Sequence, residues 1–377
     1  MVKKICIGVS VALAIILFVI GIYIDKNSKF EGRTEGKDSA LKVELIPIKD
    51  EQYLVNSVII GWMNGEYEAE KLYDSYKNDF GRLDTPSPVT IKFNIENVSD
   101  NDTVSSVAVY LSETKNFENA KKFDIEIHKR EFQIFNLKTG QKYYYRVIVK
   151  TKIGEEALAE STFETAKSPR LIKIDDVRNV RDIGGYKTVD GKIVKQGLYY
   201  RGTELGGIMQ PKYKITEEGI NTFVDELGIK TEMDLRSQTE GGANLSSSIS
   251  QKFYTFNFMY GEIFEPKAKK PLKNIFSDLA STQNYPLYLH CTYGSDRTGT
   301  ITYLLQALLG VSENDCYSEW ELSTFFNGGS HKEEMLQFVE DMKKLDGDTL
   351  QEKTENFLMS TGVTKSEIEN IKKIFLE

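Results

Sequence analysis

The sequence predicts a molecule in three parts: one N-terminal membrane helix, an all-β sandwich, and an α/β domain with a central sheet flanked by helices. Three observations carry that expectation. Ile5 to Ile24 is an unbroken apolar run; short stretches of alternating apolar and polar residues recur between Leu41 and Thr151; and from residue 170 strand patterns alternate with helical ones.

The apolar run, ICIGVSVALAIILFVIGIYI, holds twenty residues without a charge, and at about 1.5 Å per residue a helix of that length crosses a bilayer core of about 30 Å. A cleaved signal peptide is the competing reading, with secretion as its outcome. Its apolar part is normally shorter and ends at a small-residue site, whereas this run ends in Ile22-Tyr23-Ile24-Asp25-Lys26. Lys3 and Lys4 precede the run and, with the terminal amine, place residues 1–4 in the cytoplasm. Residues 5–24 then form a single-pass anchor of the cell membrane, residues 25–40 a polar tether, and the rest faces outward.

Residues 41–167 form the β module. LKVELIP, VTIKFNI (Val89 to Ile95), SVAVYLS (Ser106 to Ser112), FQIFNL (Phe132 to Leu137) and KYYYRVIVKT (Lys142 to Thr151) alternate in the manner of strands with one buried face, with Gly, Asn and Asp between them. Gly61 to Arg82 reads as a lead-in without a motif. The stretch LKTGQKYYYRVIVKT resembles the end of a fibronectin type III domain, a likeness running from about Thr85 to Ala166. Alternation assigns Tyr143 to Tyr145 to core packing and a tyrosine corner. As a spacer or adhesive module, such a domain offers contacts to protein or glycan.

Residues 170–377 form the α/β domain. LIKI, KIVKQGLYYR, IKTEMDLRS (Ile229 to Ser237) and PLYLHC (Pro286 to Cys291) are its strands. Its helices are Glu217 to Leu227, Thr300 to Leu309, Lys332 to Leu345 and Lys365 to Leu376, the last opened by Thr364 and Glu367 at capping-box spacing. Gln238 to Asn284, weakly helical over Glu262 to Phe276, is long for a connection and reads as a lid.

Composition limits the chemistry. The chain has 377 residues and a net charge of -8 without a basic cluster, which argues against a nucleic-acid partner. Its three cysteines, Cys6, Cys291 and Cys316, are too few for a disulfide framework and lack the spacing of metal ligands, so neither metal nor cofactor is expected. Cys316, on a helical pattern, reads as a packing residue, and His128 and His331 as surface residues.

One segment concentrates reactive side chains. The strand Pro286 to Leu289 runs into His290-Cys291-Thr292-Tyr293-Gly294-Ser295-Asp296-Arg297-Thr298-Gly299, and a helix follows. A strand-to-helix turn aims several backbone N–H groups at one point, and the helix N-terminus adds positive charge, making an anion cradle of phosphate size. A sulfur held there is stabilised as thiolate. Arg297 offers a planar fork of donors to two phosphate oxygens, Thr298 can donate to the sulfur, and Gly294 lets backbone approach the anion.

The string resembles the HCxxGxxRTG signature of cysteine-dependent phosphatases. In its HCxxGxDRTG form it is similar to the atypical bacterial tyrosine phosphatase family, which also includes lipid-directed, triple-specificity enzymes. NVRDIGGY (Asn179 to Tyr186) resembles that family's NFRDLGG motif, and GIKTEMDLRSQTE (Gly228 to Glu240) its strand ending in DLRS, in the family's order. The resemblance implies Cys291 as the nucleophile that forms a phosphocysteine. It makes Arg297 the phosphoryl clamp, with the backbone of Thr292, Tyr293, Gly294, Ser295 and the residues up to Arg297 sharing the charge, and Thr298 closing the loop. Asp296 becomes the general acid, with Asp182 second. For Asp182, Arg181 and Arg236 a supporting ion-pair network and direct substrate contact stand level, and His290 orients the loop by a hydrogen bond. Rhodanese-like sulfur transfer fits the Arg-Thr-Gly ending and the DLRS segment less well.

The expected activity is that of a metal-independent protein tyrosine phosphatase. A phosphoinositide or dual-specificity phosphatase is one alternative, and a surface adhesion or sensing protein that binds phosphate without turnover is another. Triple-specificity members carry Lys where this chain has Ser295, and with Lys3 and Lys4 inside, 46 of the 48 basic residues face 56 acidic ones. Both features favour aryl phosphates or phosphotyrosine over phosphoinositides.

Overall fold

The computed structural model describes residues 41–49, 51–66, 68–69, 71, 83, 85–96, 104–167, 169–241, 248–327 and 331–377. The predicted anchor, residues 5–24, and the tether, residues 25–40, lie outside the described residues. Among the described residues no helix is long and apolar enough to cross a membrane.

The chain divides into two compact units. Among the described residues one comprises 41–47, 92–96, 104–130 and 144–161. Here strand β1 (Lys42–Ile46) pairs antiparallel with β2 (Val89–Glu96). Strand β3 (Val104–Ser112) lies between β4 (Lys121–Ile125) and β6 (Lys142–Thr151), antiparallel to both, with β7 (Glu156–Glu164) beyond β6. Strand β5 (Glu131–Ile134) belongs to the sheet of β1 and β2, next to β2. The alternation in sequence is the alternation of faces: Tyr145, Val147 and Val149 of β6 are buried, and Tyr144, Arg146 and Ile148 between them are half-buried.

The second unit comprises residues 48–91, 131–143 and 162–377. Tyr143 is buried, its hydroxyl accepting a hydrogen bond from the Lys138 N–H at 2.8 Å. A six-stranded sheet crosses the α/β part in the order β12 (Ser250–Phe253), β11 (Thr231–Asp234), β13 (Leu287–His290), β10 (Tyr199–Gly202), β9 (Arg181–Asp182), β8 (Arg170–Leu171). Strands β12, β11, β13 and β10 are parallel; β9 and β8 join antiparallel at the edge. Successive residues face opposite sides. Leu287 and Leu289 enter one core with Ile301, Leu304 and Leu308, while Tyr288 enters the other with Tyr200, Phe223 and Ile172.

Helix α1 (Ser57–Met63) runs into the start of the interval read as motif-free, and Asn56 caps it by accepting from Val58 N–H at 2.8 Å. The α/β part adds α2 (Glu217–Asn221), α3 (Gln238–Gly241), α4 (Lys269–Leu279), α5 (Asp296–Leu309), α6 (Glu313–Glu321), α7 (Thr324–Asn327), α8 (Lys332–Lys343), α9 (Leu350–Thr361) and α10 (Lys365–Phe375). The predicted helix from Glu217 stops at Asn221 and continues as one wide turn over Thr222–Glu226. Thr364 and Glu367 form the expected capping box. The expected lid is largely core: Leu272, Ile275, Phe276 and Leu279 of α4 are buried, because those four apolar residues fall on one face of the helix.

Candidate active site

Parallel pairing decides where the site lies. Gly202, Asp234 and His290 stand in register at the carboxyl ends of β10, β11 and β13, so the residues after them converge at one edge of the sheet. From β13 the chain makes a tight turn over Cys291 to Ser295 and enters α5. Gly294 sits at φ +66 against the Gly202 carbonyl, where a Cβ would overlap that oxygen.

The turn is held from behind, carbonyl by carbonyl. His290 Nδ1 donates to the Cys291 oxygen at 2.9 Å and the Glu204 N–H to the Thr292 oxygen at 3.0 Å. Asn179 Nδ2 reaches the Tyr293 and Gly294 oxygens at 3.2 Å each, and Arg201 Nη2 the Gly294 and Ser295 oxygens at 2.7 and 3.3 Å. Five successive carbonyls therefore point outward. Among the described residues the N–H groups of Thr292, Gly294, Ser295, Asp296 and Arg297 meet no acceptor, which leaves them to an anion.

Cys291 is buried at the start of this turn. Burial pushes its thiol up, but the Arg297 charge and the Thr298 hydroxyl outweigh that, and its pKa is held below the usual thiol value. The Thr298 hydroxyl is buried beside the sulfur and lowers its pKa as a donor. Among the described residues the half-buried Arg297 guanidinium makes no hydrogen bond or ion pair, though its charge lowers the Glu240 pKa, and it can grip a ligand.

Asp296 opens α5 and accepts a hydrogen bond from the Tyr260 hydroxyl. Burial and the Asp296 charge raise the Tyr260 pKa, so the phenol stays a neutral donor. His331, exposed as expected, lies with Nε2 3.8 Å from the same carboxylate oxygen, because the start of α8 returns to this edge. Tyr293 is exposed and its hydroxyl accepts from Gln210 at 2.8 Å.

The expected supporting residues are all buried and paired. His290 bonds Glu232 at 2.9 Å as well as the loop; burial lowers its pKa, yet Asp234 and Glu232 outweigh that and raise it above the ordinary value, and the acceptor facing each nitrogen favours the charged ring. Arg236 spans Asp234 and Glu204. Arg181 binds Glu319 at 2.5 Å, and burial and the neighbouring Arg201 charge push its pKa down to about 10. Asp182 accepts from Arg170 at 2.5 Å, Gly197 N–H at 2.6 Å and Gly184 N–H at 2.8 Å, so both its oxygens are occupied. That is the ion-pair reading of Asp182, and it leaves Asp296 as the carboxylate at the turn. His128 is exposed beside Glu126, and Cys316 is buried with its thiol pushed well up by burial.

Glu232, Asp234 and His290 bring ligand atoms within 4.8 Å of one another, as a metal site needs. The donors are already engaged, His290 with Glu232 and Asp234 with Arg236, so the cluster is built as an ion-pair network.

Sequence reasoning missed Arg201, Glu204, Glu319, Ser323 and Tyr260. Asn179 stood inside a quoted motif without a role. Arg201 ends a strand in Tyr199-Tyr200-Arg201-Gly202, a signal for a site residue; Glu319 and Ser323 gave none.

A cysteine at a strand end, an arginine six residues on and a turn of inward N–H groups define the class of α/β phosphatases that work through a cysteine. Residues 172–377 match the tyrosine phosphatase family, and the chain belongs to it. No curated protein sequence matches the chain. Among solved structures it is similar to the core catalytic domain of the PP-IP phosphatase SIW14 from S. cerevisiae in complex with citrate, at 18% identity and a TM-score of 0.28, over 42% of this chain and 89% of that one. A second structure of the Siw14 catalytic core shows 15% identity and a TM-score of 0.27, over 42% and 88%.

Proposed function

We propose that the chain is a protein tyrosine phosphatase that hydrolyses phosphomonoesters through a phosphocysteine, without a metal. The observation that supports it best is the turn whose five carbonyls are held outward behind a cysteine with a lowered pKa. In the first step the Cys291 thiolate attacks phosphorus in line, a P–S bond forms and the P–O bond to the leaving group breaks. Asp296 gives that oxygen its proton. The N–H groups from Thr292 to Arg297 and the Arg297 fork take up the charge on the other three oxygens. In the second step water attacks phosphorus, Asp296 takes its proton, and the thiolate leaves, favoured by the Thr298 hydroxyl.

The reading extends to the whole chain as an anchored enzyme whose β-sandwich holds the catalytic domain outside the cell. Ser295 before Asp296 and the acidic balance favour aryl phosphates over phosphoinositides.

Hydrolysis of para-nitrophenyl phosphate by the 377-residue chain tests the chemistry. Vanadate is expected to inhibit, EDTA to have no effect, and Cys291→Ser to abolish turnover; turnover that survives Cys291→Ser overturns the mechanism. A panel at equal concentration is expected to rank aryl phosphates above phosphoinositides, and the reverse order overturns the substrate preference.

A further inference from the structure

Helix α1 lies more than 200 residues before Cys291 in the chain, yet it packs beneath the machinery that shapes the turn. Val55, Ile59 and Leu83 share one buried cluster with Leu171, Leu322, Phe325 and Phe326. The half-buried Trp62 meets the Phe325 ring edge to face at 5.2 Å between centroids. The chain just before α1 is stitched in place, Gln52 N–H donating to the Glu164 oxygen at 2.8 Å and Ala166 N–H to the Gln52 oxygen at 2.9 Å.

Leu322 to Phe326 is the segment that carries Ser323. Its hydroxyl accepts from Arg181 at 2.9 Å, from Asn179 at 3.3 Å and from Arg201 at 3.5 Å. Glu319, one turn earlier, binds Arg181 at 2.5 Å and Arg201 at 2.6 Å, and the Arg181 guanidinium sits 6.0 Å from the Phe326 ring. Asn179 and Arg201 are the groups that hold the Tyr293, Gly294 and Ser295 carbonyls outward. The contacts run unbroken: Trp62 to Phe325, Phe325 to Ser323 along one short segment, Ser323 to Asn179 and Arg201, and these to the turn.

We infer that Trp62, with Phe325, is a positioning residue of the active site: α1 fixes the segment Leu322 to Phe326 and thereby the aim of the phosphate-binding N–H groups. The inference rests on the turn being the active site, and its main readout does not require turnover. A loosened support lets the N–H groups and Arg297 drift from the sulfur, and a thiol whose thiolate loses these partners becomes a weaker acid.

The test compares the full chain with Trp62→Ala and Trp62→Phe, following the rate of Cys291 alkylation by iodoacetamide against pH, located by mass spectrometry. Trp62→Ala is expected to move the midpoint up by about half a unit or more and to lower kcat/KM for para-nitrophenyl phosphate at pH 6 about tenfold. Trp62→Phe, which keeps a ring against Phe325, is expected to restore most of both. A Trp62→Ala chain that loses melting temperature but keeps the midpoint and kcat/KM shows a merely structural role and overturns the inference. Phe325→Leu repeats the comparison should Trp62→Ala fail to fold. A wild-type chain without hydrolysis defeats the proposed reaction instead, while the thiol midpoints still decide this one.

Discussion

At Cys291 burial raises the thiol pKa, the Arg297 charge and Thr298 lower it, and the Asp296 charge raises it again, with a net lowering. The sign for rate follows directly. The reactive form is the thiolate, so kcat/KM falls as pH drops through the lowered pKa, and the acidic limb lies below the ordinary thiol value of about 8.5. Arg297→Met removes the largest of the lowering influences and is expected to move that limb up, as well as weakening phosphate binding; an unmoved limb in a pH profile contradicts the assignment. Asp296→Asn acts oppositely on the sulfur, since it removes a negative charge, so its acidic limb is expected to move down. Its kcat for phenyl phosphate is expected to fall by about 10² to 10⁴, and less for para-nitrophenyl phosphate, whose leaving group needs a proton less. Equal losses on the two substrates contradict Asp296 as the acid.

The turn between β13 and α5 works only if its backing is intact. Arg201 joins Glu319 to the Gly294 carbonyl from one planar fork, with both partners buried. Lysine cannot hold both at once, and removing one side of a buried pair typically costs about 3 to 5 kcal/mol. Arg201→Lys is therefore expected to weaken vanadate inhibition at least tenfold while Cys291 stays in place; unchanged inhibition would show that the backing does not aim the N–H groups. Much of this element was legible: Cys291 to Gly299 is contiguous, and the strand-turn-helix order explains each residue type in it. The backing was not, because Asn179, Arg201, Glu204, Glu319 and Ser323 lie on separate elements that only the register of β10 with β13 and the return of α6 bring together. For the same reason Tyr260 was hidden: it lies in a stretch read as a lid, and only its short turn over Tyr260–Phe264 sets it against Asp296.

At the scale of the whole molecule, the sequence patterns marked the change from strands alone to strands with helices near residue 168, but not the packing across it. Alternation reports which face of a strand is buried and is silent about what covers it. Val55, Ile59 and Leu83 cover Leu171, Leu322, Phe325 and Phe326, and the Asn136 and Leu137 carbonyls receive the Arg170 guanidinium at 2.8 and 2.9 Å. A chain cut at residue 170 exposes that cluster and leaves Arg170 with Asp182 alone. Burying an aliphatic side chain of this size contributes about 1.5 to 3 kcal/mol, so three of them amount to about 4.5 to 9 kcal/mol, an upper estimate. Taking the low end, at roughly 2 to 4 °C per kcal/mol for a domain of this length, residues 170–377 are expected to melt about 10 °C below residues 41–377. Calorimetry of the two chains decides it. Equal melting temperatures would mean that the cluster around Phe325 closes without α1, and they would remove the packing from which Trp62 acts on the turn.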